Sequence, residues 1–413
     1  MMGGRRGPIF SAIKETNGAS VTHFQTVERA LRTGAPHELL GTLRDALIEQ
    51  FEAVEVDLLV ADYSSTVLQP VTDLPHTDRP LAVRTSPEGR AFISQEPFGK
   101  YTSEDGTTID LHLPVTVRGD RLGILTVRLP EHRCTPEAVE EMTGLAELLG
   151  HEILVAERDT DLYLQARRRQ RLTLAAEMQW QLLPARSCAR REYAIGGQLE
   201  PAYDIHGDNF DWATTADTLT LTVTNGMGEG IHASLLTNLA VNALRNARRA
   251  GIGIADQAAL ADQAIYAQYQ GAQYVSTLLL FFDIPTGRVQ VVDAGSPQLW
   301  RQRDRVVERV DFVAQHPLGM FDETLYEAQE FQALPGDRLI FVSDGVYGAL
   351  SGAGEAYEER ALARAVQAVS FLPAAAVPRA MLEELRTYRE ADPDDDALVV
   401  CLDWFGRGPA SSR

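Results

Sequence analysis

Residues Thr218 to Ala233 read TLTLTVTNGMGEGIHA. Thr218, Thr220, Thr222 and Thr224 alternate with Leu219, Leu221 and Val223, the period of two that marks a half-buried strand. The chain then turns through Asn225-Gly226-Met227-Gly228-Glu229-Gly230. A helix is predicted next, over 231–250, with Ile231, Leu235, Leu239 and Ala243 sharing a face. A strand that delivers a polar residue into a glycine turn, with a helix behind it, can hold a ligand or metal at a sheet edge. Asn225 is the residue so placed.

Around this stretch the pattern continues. Strands are predicted at 193–199, 275–283, 289–293, 298–301, 306–310, 339–342 and 397–402, and helices at 256–269, 355–370 and 374–389. Strand runs flanking a helical pair fit two packed sheets covered by helices. Upstream, residues 21–51 read as helical, followed by strands at 56–62 and 81–84. A hairpin is predicted from 111–117 and 123–129, turning at Arg118-Gly119-Asp120-Arg121. Thr135 and Pro136 form an N-cap and first-turn pair. From Pro136 one helix is predicted to run to Leu183, with Val139, Met142, Leu145, Leu149, Ile153 and Ala156 as an apolar seam. Its length suggests a connector, and a parallel homodimer through it is the expected assembly.

The 413 residues suggest two or three domains. The formal net charge of -20 argues against a nucleic-acid binder. No run approaches the length of a membrane span. Three scattered cysteines, Cys134, Cys188 and Cys401, suggest a reducing, cytoplasmic setting without a disulfide framework. No CxxC or HxxxH spacing points to zinc. His76 and His112 are given no role.

Four polar clusters sit where apolar strands end: Gly207 to Asp211, the Asn225 turn, Ser343-Asp344-Gly345, and Asp392 to Asp396. Three carry carboxylates, the ligands that hard divalent cations prefer. Paired cations held so can polarise a phosphoryl oxygen and activate a water.

The order of these clusters resembles the bacterial protein phosphatase 2C family, in the branch of the stage II sporulation protein E and sigma-B-regulator phosphatases. The resemblance covers residues 177 to about 404. EMQWQLLP looks like that family's opening segment, EPAYDIHGDNFDW is similar to its GGDFYD motif, and TNGMGEGIHASLL to its DGMGxG helix start. STLLLFFD, DAGSP, PLGM, LPGDRLIFVSDGV and DDALVVCL follow in order. It implies a Mn²⁺- or Mg²⁺-dependent phosphoserine/phosphothreonine phosphatase using two ions and no covalent phosphoenzyme. By position, Asp208 would hold one metal, Asn225 would stand at the bridging-acid position, and the Gly226 carbonyl, Asp344 and Asp395 would complete the set. Asp396 is the alternative to Asp395, and Asp211 would orient metal-bound waters. Asp208, Asp344 and Asp395 carry the expected catalysis. The implied partner is a phosphorylated regulator, such as an anti-sigma-factor antagonist.

Four departures stand out: Asn225 for aspartate, His206 for glycine, Ser296 for histidine and Leu398 for threonine. An asparagine offers one neutral carbonyl oxygen where an aspartate bridges two cations with a full charge. A pseudophosphatase that binds a phosphoprotein without turnover is therefore the competing expectation.

Residues 21–155 resemble a GAF domain, carried by VDLLVADY, SPEGRAFISQEPF and LHLPVTVRGDRLGILTVRL. The resemblance implies a sensory module, with an unknown small ligand or none. The expected fold class is α+β: a flexible tail over 1–20, the GAF-like domain, a connecting helix over 156–183, a phosphatase 2C-like αββα sandwich over 184–406, and a tail over 407–413.

Overall fold

The structure is a computed structural model describing residues 20–72, 80–102, 107–351, 354–357, 359–389 and 395–407. His76, Asp392, Asp394 and, of the tails expected at 1–20 and 407–413, residues 1–19 and 408–413 lie outside the described residues. The chain divides into two units, the second comprising Arg118–Asp120 and Arg171–Arg413.

The first unit opens with helices α1 (Ser20–Thr33) and α2 (Leu39–Phe51). Then come β1 (Glu55–Ala61), β2 (Val67–Pro70), β3 (Leu81–Ala82) and α3 (Pro87–Ser94). Strands β4 (Phe98–Tyr101), β5 (Thr108–Val117) and β6 (Asp120–Pro130) lead into α4 (Pro136–Ala156) and α5 (Leu162–Ala166). The strands form one antiparallel sheet in the order β3-β2-β1-β6-β5-β4. The expected hairpin is β5–β6, with Arg118 and Gly119 turning at positive φ. Thr135 caps α4, its hydroxyl accepting from the Ala138 amide at 3.2 Å, and Pro136 follows at the first helical position.

The long helix expected from Pro136 is broken. Helix α4 stops at Ala156 and α5 begins at Leu162. At the break the amides of Asp159 and Thr160 both close back onto the Ala156 carbonyl. The predicted seam is real but serves the unit itself: Val139, Met142, Leu145, Leu149, Ile153 and Ala156 are buried in its core with Leu43, Leu47 and Val115. These side chains are not free to pair two copies of the chain, which corrects the expected dimer seam.

The second unit starts at α6 (Leu174–Leu182), capped by Thr173, so the segment expected to continue the connector is a separate short helix. Next are β7 (Ser187–Ala189), β8 (Tyr193–Glu200), β9 (Asn209–Thr214), β10 (Thr218–Gly226), α7 (Gly230–Arg249) and α8 (Ile254–Tyr269). Strands β11 (Val275–Asp283), β12 (Arg288–Ala294), β13 (Gln298–Arg303), β14 (Val306–Val310), β15 (Gln329–Gln332) and β16 (Arg338–Val342) follow. Helices α9 (Asp344–Tyr347), α10 (Glu359–Ala368) and α11 (Val377–Arg389) precede the last strand, β17 (Ala397–Trp404).

Two sheets result, β15-β12-β11-β10-β9 and β14-β13-β16-β17-β8-β7. Helices α7 and α8 pack on the first, α10 and α11 on the second, giving the expected αββα sandwich. Between the sheets, Phe282 stacks on Trp404 with ring centroids 5.5 Å apart. Gly197 admits the Phe210 ring so closely that a Cβ there would lie 2.5 Å from it.

Helix α7 buries a different face from the one expected. Ile231 and Leu235 are exposed, while Ala233, Ser234, Leu236, Thr237, Ala240, Val241 and Leu244 are buried. The buried face is rich in small and hydroxylated residues because it packs tightly and hydrogen-bonds the loop before β9. Ser234 Oγ donates to the His206 carbonyl at 2.9 Å, and Thr237 Oγ1 to the Gly207 carbonyl at 2.7 Å. A reading by hydrophobic spacing misses a face whose partners are backbone carbonyls.

Candidate functional site

Strand pairing brings the polar clusters to one end of the sandwich. Thr224, two residues before the end of β10, pairs with Asn209 at the start of β9. Val342 at the end of β16 pairs with Val399 near the start of β17, and Ala397 with Glu200 at the end of β8. Asp208, Asp344 and Asp396 therefore adjoin, and Asn225 lies within, strand ends that lie together.

The loop carrying Asp208 is anchored by a carboxylate. Asp396 Oδ2 accepts from the backbone N–H groups of His206 at 2.7 Å, Gly207 at 2.8 Å and Asp208 at 3.2 Å. Three donors converging on one oxygen form a backbone nest for an anion. Those donors favour the charged form, yet burial outweighs them and pushes the Asp396 carboxyl up to about 6. From α6, Gln179 Nε2 donates to the His206 carbonyl at 3.3 Å, and Gln179 Oε1 accepts from Asn209 Nδ2 at 3.1 Å. The backbone of His206 is thus fully used.

Gly207 and Gly226 allow the first and second motifs to touch. A Cβ on Gly207 would lie 2.5 Å from the Gly226 oxygen, and one on Gly226 only 2.2 Å from Thr237 Oγ1. The Gly226 carbonyl faces Gly207 across this contact.

Asp208 is 3% exposed, and its Oδ2 is buried without a hydrogen-bond partner. Burial first, then the Asp396 charge, holds its carboxyl well above the usual range; Asp344 and Asp395 push the same way, and the Ser343 hydroxyl opposes them. Asp395 is exposed by surface area, yet the protein mass around its carboxyl raises its pKa, with the Asp344 charge adding to the shift. Asp396 Oδ1 is a second buried oxygen without a partner. The carboxylates therefore crowd one another in a place where positive charge would relieve them.

Asn225 faces this cluster with its donor end. Its Nδ2 donates to Asp344 Oδ1 in a short contact and to Ser296 Oγ at 3.2 Å. Ser296 Oγ is 3.0 Å from the Tyr347 hydroxyl, which also donates to the Ser296 carbonyl at 3.0 Å. Two of the sequence departures, Asn225 and Ser296, are thus direct partners. Asp344 Oδ1 additionally accepts from the Gly345 amide at 2.9 Å, and Arg389 Nη2 donates to the Gly345 carbonyl. Leu398 is buried, and its amide donates to Ser343 Oγ at 2.9 Å.

Asp211 lies elsewhere. Its carboxylate is bound by Arg245 Nη2 at 2.8 Å and Arg248 Nη1 at 2.9 Å, which ties β9 to α7. Holding an ion pair replaces the water-orienting role expected of it. Both arginines stand near the C-terminal end of α7.

The donor set fits one hard cation in part. Asp208 Oδ2 is buried, unpartnered and beside other carboxylates, and Asp344 and Asp395 are the further oxygen donors around it. A bridged pair does not fit, because Asn225 presents an N–H to Asp344. Among the described residues no three His, Cys, Asp or Glu side chains already form a cage for a metal ion.

Sequence reasoning missed Gln179, Ser234, Thr237 and Tyr347 and gave Asn209 and Ser343, though inside its polar clusters, no role; all six hold the site through hydrogen bonds. Only EMQWQLLP, recognised as the segment's opening, pointed to Gln179.

Residues 215–405 match the family described as stage II sporulation protein E. The match covers a little under half of the chain, and together with the two-sheet architecture above it makes this segment similar to stage II sporulation protein E phosphatase domains of the 2C type. Three of the similar solved structures follow. The RsbU and RsbW domains of a Mycobacterium tuberculosis protein share 21% identity over 53% of this chain and 61% of theirs, with a TM-score of 0.46. The phosphatase domain of SpoIIE from Bacillus subtilis, with a fragment of its regulatory domain, shares 19% over 53% of this chain and 65% of its own, TM-score 0.46. The SiaA phosphatase 2C domain of Pseudomonas aeruginosa shares 20% over 56% of this chain and 93% of its own, TM-score 0.48. The chain thus spans less than two thirds of the first two. No curated protein matches it. Among the described residues no helix is long and apolar enough to cross a membrane.

Proposed function

We propose that this protein is a cation-dependent phosphoserine/phosphothreonine protein phosphatase of bacterial signalling, with its first unit a GAF-like regulatory module. The observation that carries the reading is the unpartnered, buried Asp208 Oδ2 beside Asp344 and Asp395, at the end of a sandwich whose residues 215–405 match a phosphatase family. A hard cation held by Asp208 would supply charge neutralisation and a water of lowered pKa. Of the chain's own groups, Asp396 fixes the loop that presents Asp208, and Asn225 holds Asp344 in place. The proposed substrate is a phosphorylated regulatory protein, of the anti-sigma-factor antagonist kind by family resemblance, and the proposed setting is cytoplasmic. The six-stranded sheet, with α3 packed on it and α4 beside β5, supports the GAF-like reading of the first unit.

One observation favours a second reading. The Asn225 amide occupies an oxygen of Asp344, which suits a domain that binds a phosphoprotein with little or no turnover. The deciding experiment is hydrolysis of an aryl phosphate and of a phosphoprotein with excess Mn²⁺, by the native chain and by Asn225→Asp. Robust native turnover removes the second reading. No turnover by either protein removes the first.

A further inference from the structure

The two-ion pattern of the family and the residues of this chain disagree at one place, and the disagreement is organised. Asn225 and Ser296, two of the four departures, lie 71 residues apart in sequence and hydrogen-bond each other at 3.2 Å. The chain of contacts runs Asp344, Asn225, Ser296, Tyr347. Each link has a donor for its acceptor. An isolated loss of the bridging acid would leave Asp344 facing an empty charge requirement. Here the Asn225 amide supplies a donor to Asp344, and Ser296 and Tyr347 hold that amide in orientation. Asp208 has no such substitute: its Oδ2 stays buried and unpartnered.

We infer that the Asn225–Ser296 pair stands in for one of two cations, so that this chain binds a single divalent ion, held on the Asp208 side of the site. An amide N–H carries a partial positive charge and satisfies one carboxylate oxygen, which is the local need a second ion would otherwise meet. It supplies no vacant coordination position, so a second ion has neither a bridging oxygen nor a free Asp344 Oδ1 to bind. The inference rests on the phosphatase reading only in taking the ion as Mn²⁺ or Mg²⁺; its test does not use turnover.

The test is the number of Mn²⁺ ions bound per full-length chain after equilibrium dialysis, read by metal analysis and by electron paramagnetic resonance. The native protein is expected to hold one ion with the hyperfine pattern of an isolated Mn²⁺. Asn225→Asp is expected to hold two, with the spectrum of an exchange-coupled pair. Asp208→Asn is expected to lose the single ion of the native chain. Two coupled ions in the native protein, or none, overturn the inference, as does a single ion that persists in Asp208→Asn. Should Asn225→Asp fail to fold, the native count and the Asp208 variant still decide. One ion without phosphatase turnover defeats the functional reading and leaves this one standing; two ions with turnover does the reverse.

Discussion

Arg245 Nη2 lies 2.8 Å from Asp211 Oδ1, and Arg248 closes on the other carboxylate oxygen at 2.9 Å. Both arginines are mostly buried beside an almost fully buried acid. Asp211→Ala leaves two crowded guanidinium groups facing each other. The expected loss of stability is about 3 kcal/mol, measured by urea unfolding of the full chain. A loss below a few tenths of that would mean the pair is not holding β9 to α7.

Asn225→Asp is expected to raise Mn²⁺-dependent hydrolysis by on the order of tenfold to a hundredfold, since a metal bridge contributes several kcal/mol and each ~1.4 kcal/mol is tenfold. The check is kcat with an aryl phosphate across a Mn²⁺ titration. An unchanged kcat at saturating Mn²⁺ would show that Asn225 does not limit the reaction.

Asp396→Ala removes the acceptor shared by three backbone donors. Each donor left buried and unmade costs about 1 to 3 kcal/mol, so the variant is expected to lose several kcal/mol and its ability to bind Mn²⁺. Asp396→Asn keeps one acceptor oxygen without the buried charge, and is expected to be much less damaged. Equal damage in the two variants, compared by thermal melting, would contradict the nest.

Gly207→Ala is expected to separate the first two motifs, because the new Cβ would lie 2.5 Å from the Gly226 oxygen and 2.8 Å from its carbonyl carbon. Backbone on both sides cannot yield as a side chain would. Loss of Mn²⁺ binding in a chain that still unfolds cooperatively is the expected result, read by calorimetry and metal analysis.

In the first unit, His112 is 2% exposed and stacks beside Phe98 at a centroid distance of 6.2 Å. Its Nδ1 is 3.2 Å from Thr126 Oγ1, and its Nε2 is buried without a partner. Burial lowers its pKa; Glu88 and Asp110 oppose the shift and Lys100 reinforces it. The folded state therefore disfavours the proton that the unfolded chain takes up below about 6.5. Stability is expected to be constant above that pH and to fall as pH drops through it toward the lower folded value. Hydrogen exchange of β5 peptides, corrected for intrinsic rates, should show this slope in the native chain and not in His112→Leu.

The sequence carried much of the second unit. Alternation at Thr218 to Thr224 marks β10, and the motif order groups Asp208, Asn225 and Asp344. Strand β9 was not legible, because Asn209-Phe210-Asp211 reads as a polar cluster and its pairing with β10 is a long-range fact. The α7 face failed because spacing counts apolar residues, whereas Ser234 and Thr237 face carbonyl oxygens. The helix from Pro136 failed for a related reason: local amide-to-carbonyl closure at Asp159 and Thr160 ends the helix, and no spacing of apolar residues registers it. Asp211 shows the limit of motif transfer, since only the fold brings Arg245 and Arg248 to it.

The Asp396 nest also bears on the order in which the protein comes into being. Asp396 and the amides it receives are separated by 188 to 190 residues. It immediately precedes β17, which lies in the interior of its sheet between β16 and β8. During synthesis the loop bearing Asp208 emerges long before its anchor does. Until β17 has left the ribosome and inserted between its neighbours, the three amides have no acceptor, and the growing chain carries the ingredients of the site without the site.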